Sequence, residues 1–420
     1  MKACTTLTGA ALALAFAVGA VDLTEPLTVS NVRFSQDRAT QRVTVNYELA
    51  NQGEPAWVAM DVLTNGVSIG MQHVNAVSGD ISRYGLDMVG RGPVADDGLE
   101  KTIVWDAHRD WHGNLGSNVT VEVSAWYTNS PPGVYMVVDL SEGPAAEQYP
   151  VSLSTAVPDP TDLSCVSNKL WLRYVPAGSF TQGSPETEAG RDTTGRETQH
   201  QVTLTKPFYA GVFELTRAQY RLVMGSDPGI GETMTCPVTK VKFYDFVGTN
   251  INPAVSNTVA AGTFLAKIRE KSGLLLNLPT DAQWEYACRA GTIGPFNVET
   301  NAMVKIGDIA WHGGNSSSKV HPVGRKRPNA WGLYDMHGNV FEFCREYLNA
   351  SMGSGERTDP VNTGKSSGFV IRGGYFGDAD YNCRSARRGW RAPSEVDPDP
   401  SLWYGGVGQN DGFRLWLTVE

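Results

Sequence analysis

The chain has 420 residues and a formal net charge of −9 at pH 7, with 41% hydrophobic and 19% charged residues. This composition predicts a globular protein of two or three domains, and an acidic balance without a basic run argues against a nucleic-acid partner. The 45 glycines and 23 prolines indicate many turns and a low helix content.

Residues 1–20 have the pattern of a secretory signal peptide. A lysine precedes an apolar run from Ala10 to Val18, and small residues follow as far as Ala20. A buried first strand or helix is the alternative interpretation. The run is too short to span a bilayer, and no later segment reaches about 18 apolar residues. We therefore expect an exported protein without a membrane span, which is secreted, periplasmic or held at the cell surface.

Residues 21–140 are predicted to form an all-β domain. Short runs alternate apolar and polar residues, and Gly, Asn, Asp and Pro separate them. The pattern favours an antiparallel β-sandwich of immunoglobulin or fibronectin type that acts as a spacer or adhesion module. His108 and His112 are four residues apart, but their strand-to-turn setting does not favour a metal site. The predicted strands are 42–50, 56–63, 101–106, 118–126 and 134–140.

Residues 141–164 are rich in Ser, Pro and Ala and are predicted to be a linker. Residues 165–420 then mix strands, within 169–180 and 200–215, with three helices. The first helix has Thr216 as its N-cap, Gln219 three residues later and Gly225 at its end. A second helix repeats this design with Thr280, Gln283 and Gly291, and a third covers 259–273 and closes at Gly273. The turn-rich backbone after residue 291 requires internal hydrogen bonds, buried aromatics or bound ions to stay ordered.

Six phrases follow one another between residues 170 and 416: "VPAGSFTQGSPETEAGRD", "FELTRAQYRLVMG", "LPTDAQWEYACRAGT", "HPVGRKRPNAWGLYDMHGNVFEFCREY", "IRGGYFGDADYNCRSARR" and "DGFRL". Together they resemble the sulfatase-modifying-factor family, whose founding activity is formylglycine generation on sulfatases. The resemblance implies an α+β protein whose C-terminal domain is a compact, turn-rich variant of the C-type-lectin-like fold, behind the β-sandwich. It covers the second domain and says nothing about residues 21–160.

The same resemblance singles out Cys383. Catalytic members bind Cu(I) between two cysteines five positions apart and use oxygen to convert a substrate cysteine to formylglycine. Here the second cysteine maps to Cys383, but the first falls on Asp378, and Tyr375 stands where they carry serine. A carboxylate suits Ca²⁺ or Mg²⁺ far better than Cu(I). We therefore expect copper to be absent and Cys383 to be a packed small hydrophobe or half of a disulfide, and catalytic only if the protein is an enzyme.

The cysteine count leaves disulfide pairing open. Without Cys4, which lies in the predicted signal peptide, five cysteines remain, so at least one thiol is unpaired or pairs outside the chain. Nonheme-iron chemistry, which other relatives carry out with a separate His-rich helical domain, is poorly supported because the N-terminal part has no such helix.

A calcium site is the second implication of the resemblance. In "YDMHGNVFE" it would use the side chains of Asp335 and Glu342 and the backbone carbonyls of Gly338 and Val340. Ca²⁺ accepts such mixed carboxylate and carbonyl oxygens in an irregular loop, and its role here would be structural. The alternative is a turn whose carboxylates are solvated or capped by backbone N–H groups.

Aromatic, acidic and basic residues between the glycines of the C-terminal segment predict a ligand-binding surface. Their composition is that of a paratope, with rigid aromatic anchors beside adaptable polar groups. The layout resembles variable proteins of diversity-generating retroelements. The favoured interpretation is a secreted protein that binds a protein or glycan, and the alternatives are a copper-dependent oxidase acting on a sulfatase peptide and a cell-surface module without a small ligand. The predicted ligand-binding residues are Tyr375, Phe376, Asp378, Asp380, Tyr381, Trp390, Arg391, Trp403 and Tyr404.

Overall fold

The structure is a computed structural model of the 420-residue chain, and it divides into two compact units. Unit 1 comprises residues up to 138 together with 150–157 and 419–420, and unit 2 comprises 139–149 and 158–418. The structure describes residues 28–419 apart from 52, 54, 65–66, 70–72, 83–93, 112–118, 128–134, 155, 228, 230–231, 250, 299–304, 350, 367 and 393–409. The predicted signal peptide, His112, Trp403 and Tyr404 lie outside the described residues.

Unit 1 contains two antiparallel sheets with orders β1-β2-β6-β5 and β4-β3-β7, and a hairpin of β8 and β9. In β2 the buried residues alternate with more exposed ones, as the period of two requires. Side chains from both sheets, including Tyr47, Trp105 and Val62, meet in one core. The elements are β1 Thr28–Gln36, β2 Arg42–Ala50, β3 Ala56–Thr64, β4 Val67–Ser68, β5 Val77–Gly79, β6 Lys101–Asp106, α1 Ala107–Asp110, β7 Val119–Tyr127, β8 Tyr135–Asp139 and β9 Val151–Ser154.

All five strands predicted for this part are present, with ends that agree within one residue. Of the segment predicted as a linker, residues up to 149 belong to unit 2, residues 150–157 to unit 1 and the rest to unit 2. Tyr149 is fully buried, and its hydroxyl donates to the carbonyl oxygens of Gly143 at 3.2 Å and Leu222 at 3.0 Å. Its backbone N–H donates to Lys271 at 2.9 Å. Buried aromatic surface and these hydrogen bonds hold a segment whose composition alone indicated a flexible connection.

The helices of unit 2 begin and end largely where the capping signals indicated. Thr216 and Thr280 each form a capping box with the glutamine three residues later. The third predicted helix begins at residue 264, not 259, because Thr263 caps it. The 281–289 helix has its C-cap at Ala290, with a left-handed φ of 45°, one residue before the glycine at which the sequence predicted its end. The helices are α2 Leu163–Ser167, α3 Arg217–Met224, α4 Phe243–Val247, α5 Phe264–Ser272, α6 Asp281–Arg289 and α7 Ile306–Ile309.

Three groups of strands complete unit 2, in the orders β19-β13-β10, β11-β12-β15 and β17-β16-β14-β18. They are β10 Lys169–Val175, β11 Gly178–Gln182, β12 His200–Leu204, β13 Phe208–Gly211, β14 Phe341–Tyr347, β15 Arg357–Thr358, β16 Phe369–Arg372, β17 Gly389–Arg391, β18 Asp411–Gly412 and β19 Trp416–Thr418. Short 3₁₀-helices lie at Gly143–Ala145 and Asp380–Cys383. No helix in the described part of the chain is both long and apolar enough for a membrane span.

Every residue of α6 is buried, and its charged side chains anchor the C-terminal segment. Arg372, at the end of β16, pairs with Asp281 at 2.5 Å and with Glu285 at 3.0 Å. Arg388 pairs with Asp281 at 2.9 Å, and Arg289 with Glu285 at 2.8 Å. Buried charges of this kind are tolerated only when they are paired and hydrogen-bonded. The network therefore holds β16 and the chain after it against a rigid helix.

Candidate functional site

The segment that contains Asp378 and Cys383, the two positions that the family resemblance singles out, begins with a tight turn at Gly373 and Gly374. Residues 375–379 follow, then the 3₁₀-helix Asp380–Cys383 and β17. Both glycines have left-handed φ angles, 87° and 77°. A Cβ on Gly374 would lie 2.8 Å from the sulfur of Cys383. Glycine is therefore required for the chain to pass this closely over the thiol.

Cys383 is sealed beneath this turn. Its side chain is 0% exposed, and its Sγ faces the carbonyl oxygen of Ala379 at 3.9 Å. Burial, with a smaller contribution from Asp378 and Asp380, raises the pKa of the thiol well above its ordinary value. A reactive cysteine needs the opposite, a lowered pKa and access to solvent. The geometry is that of a packed small hydrophobe.

The half-disulfide interpretation of Cys383 has no counterpart within the described part of the chain. All five cysteines there have free thiols and are buried. In Cys288, for example, burial raises the pKa to about 12. The five are Cys165, Cys236, Cys288, Cys344 and Cys383.

Asp378 lies at a small cleft, with a volume of about 20 Å³, that opens beside the turn. This volume is roughly that needed by one water molecule. The Oδ2 atom of Asp378 accepts a long hydrogen bond, 3.3 Å, from the N–H of Tyr375. Burial raises the pKa of Asp378 to about 6, against the opposing effects of the Tyr375 N–H and the Arg387 guanidinium. The other lining residues are Phe341, Ile371, Arg372, Gly374, Asn382, Arg387 and Gly389.

The residues predicted to bind a ligand differ in their exposure. Tyr381, which is 45% exposed, and Asp380 face solvent, while Tyr375, Asp378 and Trp390 are half-buried. Phe376 and Arg391 are buried, with 9% and 4% exposure. The structure therefore brings Tyr375, Asp378, Asp380 and Tyr381 to one accessible loop, but it does not present Phe376 or Arg391 to a ligand.

Arg391 and Trp390 have structural partners instead. Arg391 forms a two-pronged ion pair with Asp411, at 2.6 and 2.9 Å, and its guanidinium lies 5.9 Å from the ring centre of Phe341. Trp390 packs against the main apolar cluster of unit 2. The sequence pattern could not separate these residues from the accessible ones because burial depends on contacts between distant segments.

The predicted calcium loop has a strongly constrained backbone. Asp335, Gly338 and Asn339 all have left-handed φ angles, 55°, 74° and 58°. The N–H groups of Gly338 and Asn339 donate to Gly373 at 2.8 Å and to Trp311 at 2.9 Å, and the N–H of Phe341 donates to Asn410 at 3.0 Å. A trans peptide points its carbonyl opposite to its N–H. These bonds therefore orient the carbonyls of Gly338 and Val340 that the site would use.

The carboxylates of this loop leave negative charge and one buried oxygen uncompensated. Asp335 is 2% exposed, and its Oδ2 accepts from Gly324 at 2.7 Å, whereas its Oδ1 has no hydrogen-bond partner in the described structure. Glu342 is held by Arg414 at 2.6 Å and by the indole N–H of Trp284 at 2.8 Å. A buried oxygen without a partner fits a hard cation such as Ca²⁺, whereas Glu342 supplies charge but has most of its acceptor capacity in use.

The structure adds a third acid that the sequence analysis did not mark. Glu214 is fully buried, and burial, followed by repulsion from Asp335 and Glu342, raises its pKa well above the ordinary value. Three acids thus lie near the guanidinium of Arg414, with Lys326 as a further nearby cation of Asp335. The signal in the sequence was an isolated acid between apolar residues in "VFEL", since an acid is rarely buried without a partner.

Residues 172–400, more than half of the chain, match the family model for the sulfatase-modifying factor enzyme 1-like domain. The chain belongs to this family. The chaperone protein LppX of Paenibacillus barcinonensis is 28% identical to it over 181 residues, which are 35% of this chain and 64% of LppX. The formylglycine-generating enzyme of Streptomyces coelicolor is 31% identical over 132 residues, 29% of this chain and 42% of the enzyme. The match spans less than two thirds of either relative.

Two solved structures are similar to this member of the sulfatase-modifying-factor family at about one quarter sequence identity. Treponema denticola variable protein 1 has 25% identity and a TM-score of 0.45, covering 59% of this chain and 95% of that one. PvdO from Pseudomonas aeruginosa has 26% identity and a TM-score of 0.47, covering 59% and 94%.

The copper ion that the family resemblance implies does not fit the residues present. Cu(I) is soft and favours thiolate ligands. At the two positions concerned this chain has the carboxylate of Asp378 and the buried thiol of Cys383, whose raised pKa disfavours the thiolate form. One of the two positions therefore holds a hard oxygen donor and the other a protonated thiol, and neither suits Cu(I).

Proposed function

We propose that this sulfatase-modifying-factor family protein binds a protein or glycan ligand through its C-terminal loops and does not oxidise cysteine. The observation that carries the proposal is the pair Asp378 and Cys383: a carboxylate lines the accessible cleft, and the remaining thiol is sealed behind Gly374. Polar groups of Asp378, Asn382 and Arg387 line the cleft, and because it has room for only about one water molecule, a protein or glycan would contact the surface around it.

The accessible loop has the rigidity that a binding surface needs. The carbonyl oxygen of Asp378 accepts from Gly313 at 2.7 Å, and the Asp378 N–H donates to Tyr375 at 3.0 Å. The side chain of Tyr381 packs against Gly190, where an added Cβ would lie 2.9 Å from the Cβ of the tyrosine. Aromatic side chains held in place lose little entropy on binding and often act as anchors.

A binding screen on glycan and protein arrays tests this proposal. With a ligand found, Tyr381→Ala is expected to weaken binding at least about tenfold, because anchor residues commonly contribute more than about 1.4 kcal/mol. Leu275→Ala is the matched control, since Leu275 is also 45% exposed and lies elsewhere in unit 2. Equal loss in both variants, or no loss in Tyr381→Ala, would contradict the assignment of the site.

Formylglycine generation on a sulfatase peptide is the second candidate, and family membership favours it. The purified chain, incubated with copper and oxygen and a cysteine-containing sulfatase peptide, is expected to leave the peptide cysteine unchanged. Turnover by the wild type that disappears in Cys383→Ser would establish the oxidase and remove the preference for binding. Tightly bound copper, stoichiometric with the chain, would argue in the same direction.

Three further proposals concern the setting of the binding domain. We propose that residues 1–20 direct export, which N-terminal sequencing of the mature protein tests, and that unit 1 is an immunoglobulin- or fibronectin-type spacer. We also propose that a retroelement diversifies the C-terminal loops, because their layout interleaves aromatic and polar residues with glycines. A reverse-transcriptase gene and an imperfect repeat of the last coding bases beside this gene are expected, and their absence removes this proposal.

We propose, finally, that Ca²⁺ binds the loop from Asp335 to Glu342 and has a structural role. Asp335 and Glu342 would supply charge, and the carbonyls of Gly338 and Val340 would complete the oxygen set. The support is the buried Oδ1 of Asp335, which has no hydrogen-bond partner in the described structure. Terbium luminescence or calorimetry on the chelator-treated protein is expected to show one calcium site that Asp335→Asn weakens strongly.

A further inference from the structure

We infer that one peptide group, between Asn339 and Val340, couples the calcium loop to the ligand loop at residues 375–381, and that Glu214 is the positioning residue that holds this peptide. The inference rests on the calcium and ligand-binding proposals. It assigns to Glu214 a role outside the four predicted ligands, and it makes calcium a regulator of the ligand loop as well as a structural ion.

Glu214 approaches the calcium loop from a rigid part of the fold. It lies between β13 and the N-cap of α3, and it is 0% exposed. The next residue is fixed on both sides, because the N–H of Leu215 donates to Phe413 at 2.8 Å and its carbonyl accepts from Val238 at 2.8 Å. The carboxylate thus has a fixed origin, which a positioning residue requires.

Both carboxylate oxygens of Glu214 bind the calcium loop. Oε1 accepts from the backbone N–H of Val340 at 3.1 Å, and Oε2 accepts from the side-chain amide of Asn339 at 2.7 Å. The Asn339 amide is also bound to the backbone of His321, at 3.0 Å through Oδ1 and 3.2 Å through Nδ2. The side chain of Asn339 is therefore fixed, and with it a residue whose φ of 58° costs energy outside such a setting.

The opposite side of the same peptide binds the ligand loop. The carbonyl oxygen of Asn339 accepts from the N–H of Phe376 at 2.8 Å. The carbonyl oxygen of Phe376 in turn accepts from the hydroxyl of Ser316 at 2.7 Å. A rotation of the Asn339–Val340 peptide would therefore break a bond to Glu214 on one side and a bond to the ligand loop on the other.

Apolar packing reinforces this link. The side chain of Val340 belongs to a small buried cluster with Phe376, Cys236 and Val320, and Tyr375 packs against it. The ring of Tyr375 lies 5.1 Å from that of Phe341, the next residue of the calcium loop. Val340 thus offers its carbonyl to the predicted ion and its side chain to the residues that precede the exposed Asp380 and Tyr381.

Calcium that draws the Gly338 and Val340 carbonyls inward would fix the peptide between them. By linkage, a ligand that needs the ordered loop would tighten calcium binding by the same factor by which calcium tightens the ligand. Hydrogen exchange of the loop amides measures this coupling and does not require a known ligand. Calcium is expected to slow exchange of the Phe376 amide and its neighbours in residues 375–381 at least about tenfold, which corresponds to about 1.4 kcal/mol.

The test uses the full chain, Ca²⁺ titrations and hydrogen exchange with and without calcium. Glu214→Gln replaces one acceptor oxygen by a donor that faces an N–H group, so calcium affinity is expected to fall at least about tenfold and the calcium-induced protection of 375–381 to disappear. Glu197→Gln is the matched control. Glu197 is equally buried but binds Ser184 and Arg384, so this change is expected to lower stability while calcium affinity stays within about twofold.

Asn339→Gly provides a second variant if Glu214→Gln does not fold, because glycine accepts the left-handed φ and removes only the side-chain link. It is expected to reduce both calcium affinity and loop protection. Wild-type affinity and protection in the folded Glu214→Gln or Asn339→Gly protein overturns the role of Glu214. Calcium binding by the wild type without protection of 375–381 overturns the coupling but leaves the calcium proposal intact, and no calcium binding overturns both. Loss of ligand binding alone would concern only the proposed function.

Discussion

Replacing Asp378 by asparagine should stabilise the protein at neutral pH and not at acid pH. Burial raises the pKa of this carboxyl from 3.8 to about 6. The folded protein therefore binds the proton more tightly than the unfolded chain, so this contribution to stability is fully present below pH 4 and is lost as pH rises through 6. A shift of about 2 units corresponds to about 3 kcal/mol, and partial solvent screening reduces this to roughly 1–3 kcal/mol.

The assay is urea denaturation of the full chain at pH 4, 5, 6 and 7, with wild type and variant compared at each pH. The asparagine side chain can still accept from the Tyr375 N–H, so the two proteins should be similar at pH 4. The variant should gain roughly 1–3 kcal/mol by pH 7. Asp380→Asn controls for loss of one acidic charge in the same loop. A difference that stays flat across this range, or a variant less stable at pH 7, would refute the burial argument.

Three further predictions concern stability and cysteine reactivity. Thr280→Ala should destabilise the protein by about 1 kcal/mol in urea denaturation because it removes the N-cap hydrogen bond of α6, while Thr280→Ser should retain most of it; equal losses would contradict the capping argument. Arg414→Met should lower the free energy of unfolding by about 3–5 kcal/mol because it leaves the charge of Glu342 buried and unpaired. The double variant Arg414→Met with Glu342→Met should lose less. A single variant as stable as the wild type would contradict this. A thiol reagent should react with the native protein slowly and only through unfolding, because Cys165, Cys236, Cys288, Cys344 and Cys383 are all buried. Rapid reaction of any of these thiols in the folded protein would contradict its burial.

Local signals predicted three helices of unit 2 and five strands well because the causes of these elements are local. The Thr216 and Thr280 capping boxes involve groups three residues apart, so the sequence carries both partners in one short window. The alternation in β2 likewise reflects a single buried face. The predicted start of α5 was too early because small apolar residues before Thr263 continue a helix-compatible pattern. In the structure Thr263 is the N-cap, so the helix begins at the next residue. Family phrases located unit 2 for the same reason, since their order along the chain is itself a sequence property.

The sequence could not predict which residues of the proposed site are exposed to solvent. Phe376 and Tyr381 are both aromatic residues in one glycine-rich loop, yet one packs with Val340 and the other is 45% exposed. Arg391 had the composition of a contact residue, but its guanidinium is taken by Asp411, twenty positions later. These outcomes depend on which distant segments meet, and a window of neighbouring residues does not contain that information.

The sequence by itself determined the family, the positions of the capped helices and the replacement of a sulfur ligand by the carboxylate of Asp378, because each is a matter of residue identity and spacing. Only the tertiary structure decided that Cys383 is sealed, that residues 139–149 belong to unit 2 and that Glu214 meets Asn339 and Val340 from 125 and 126 positions away. The physical reason is that burial and charge pairing are properties of the assembled core, in which side chains remote in the chain exclude water from one another.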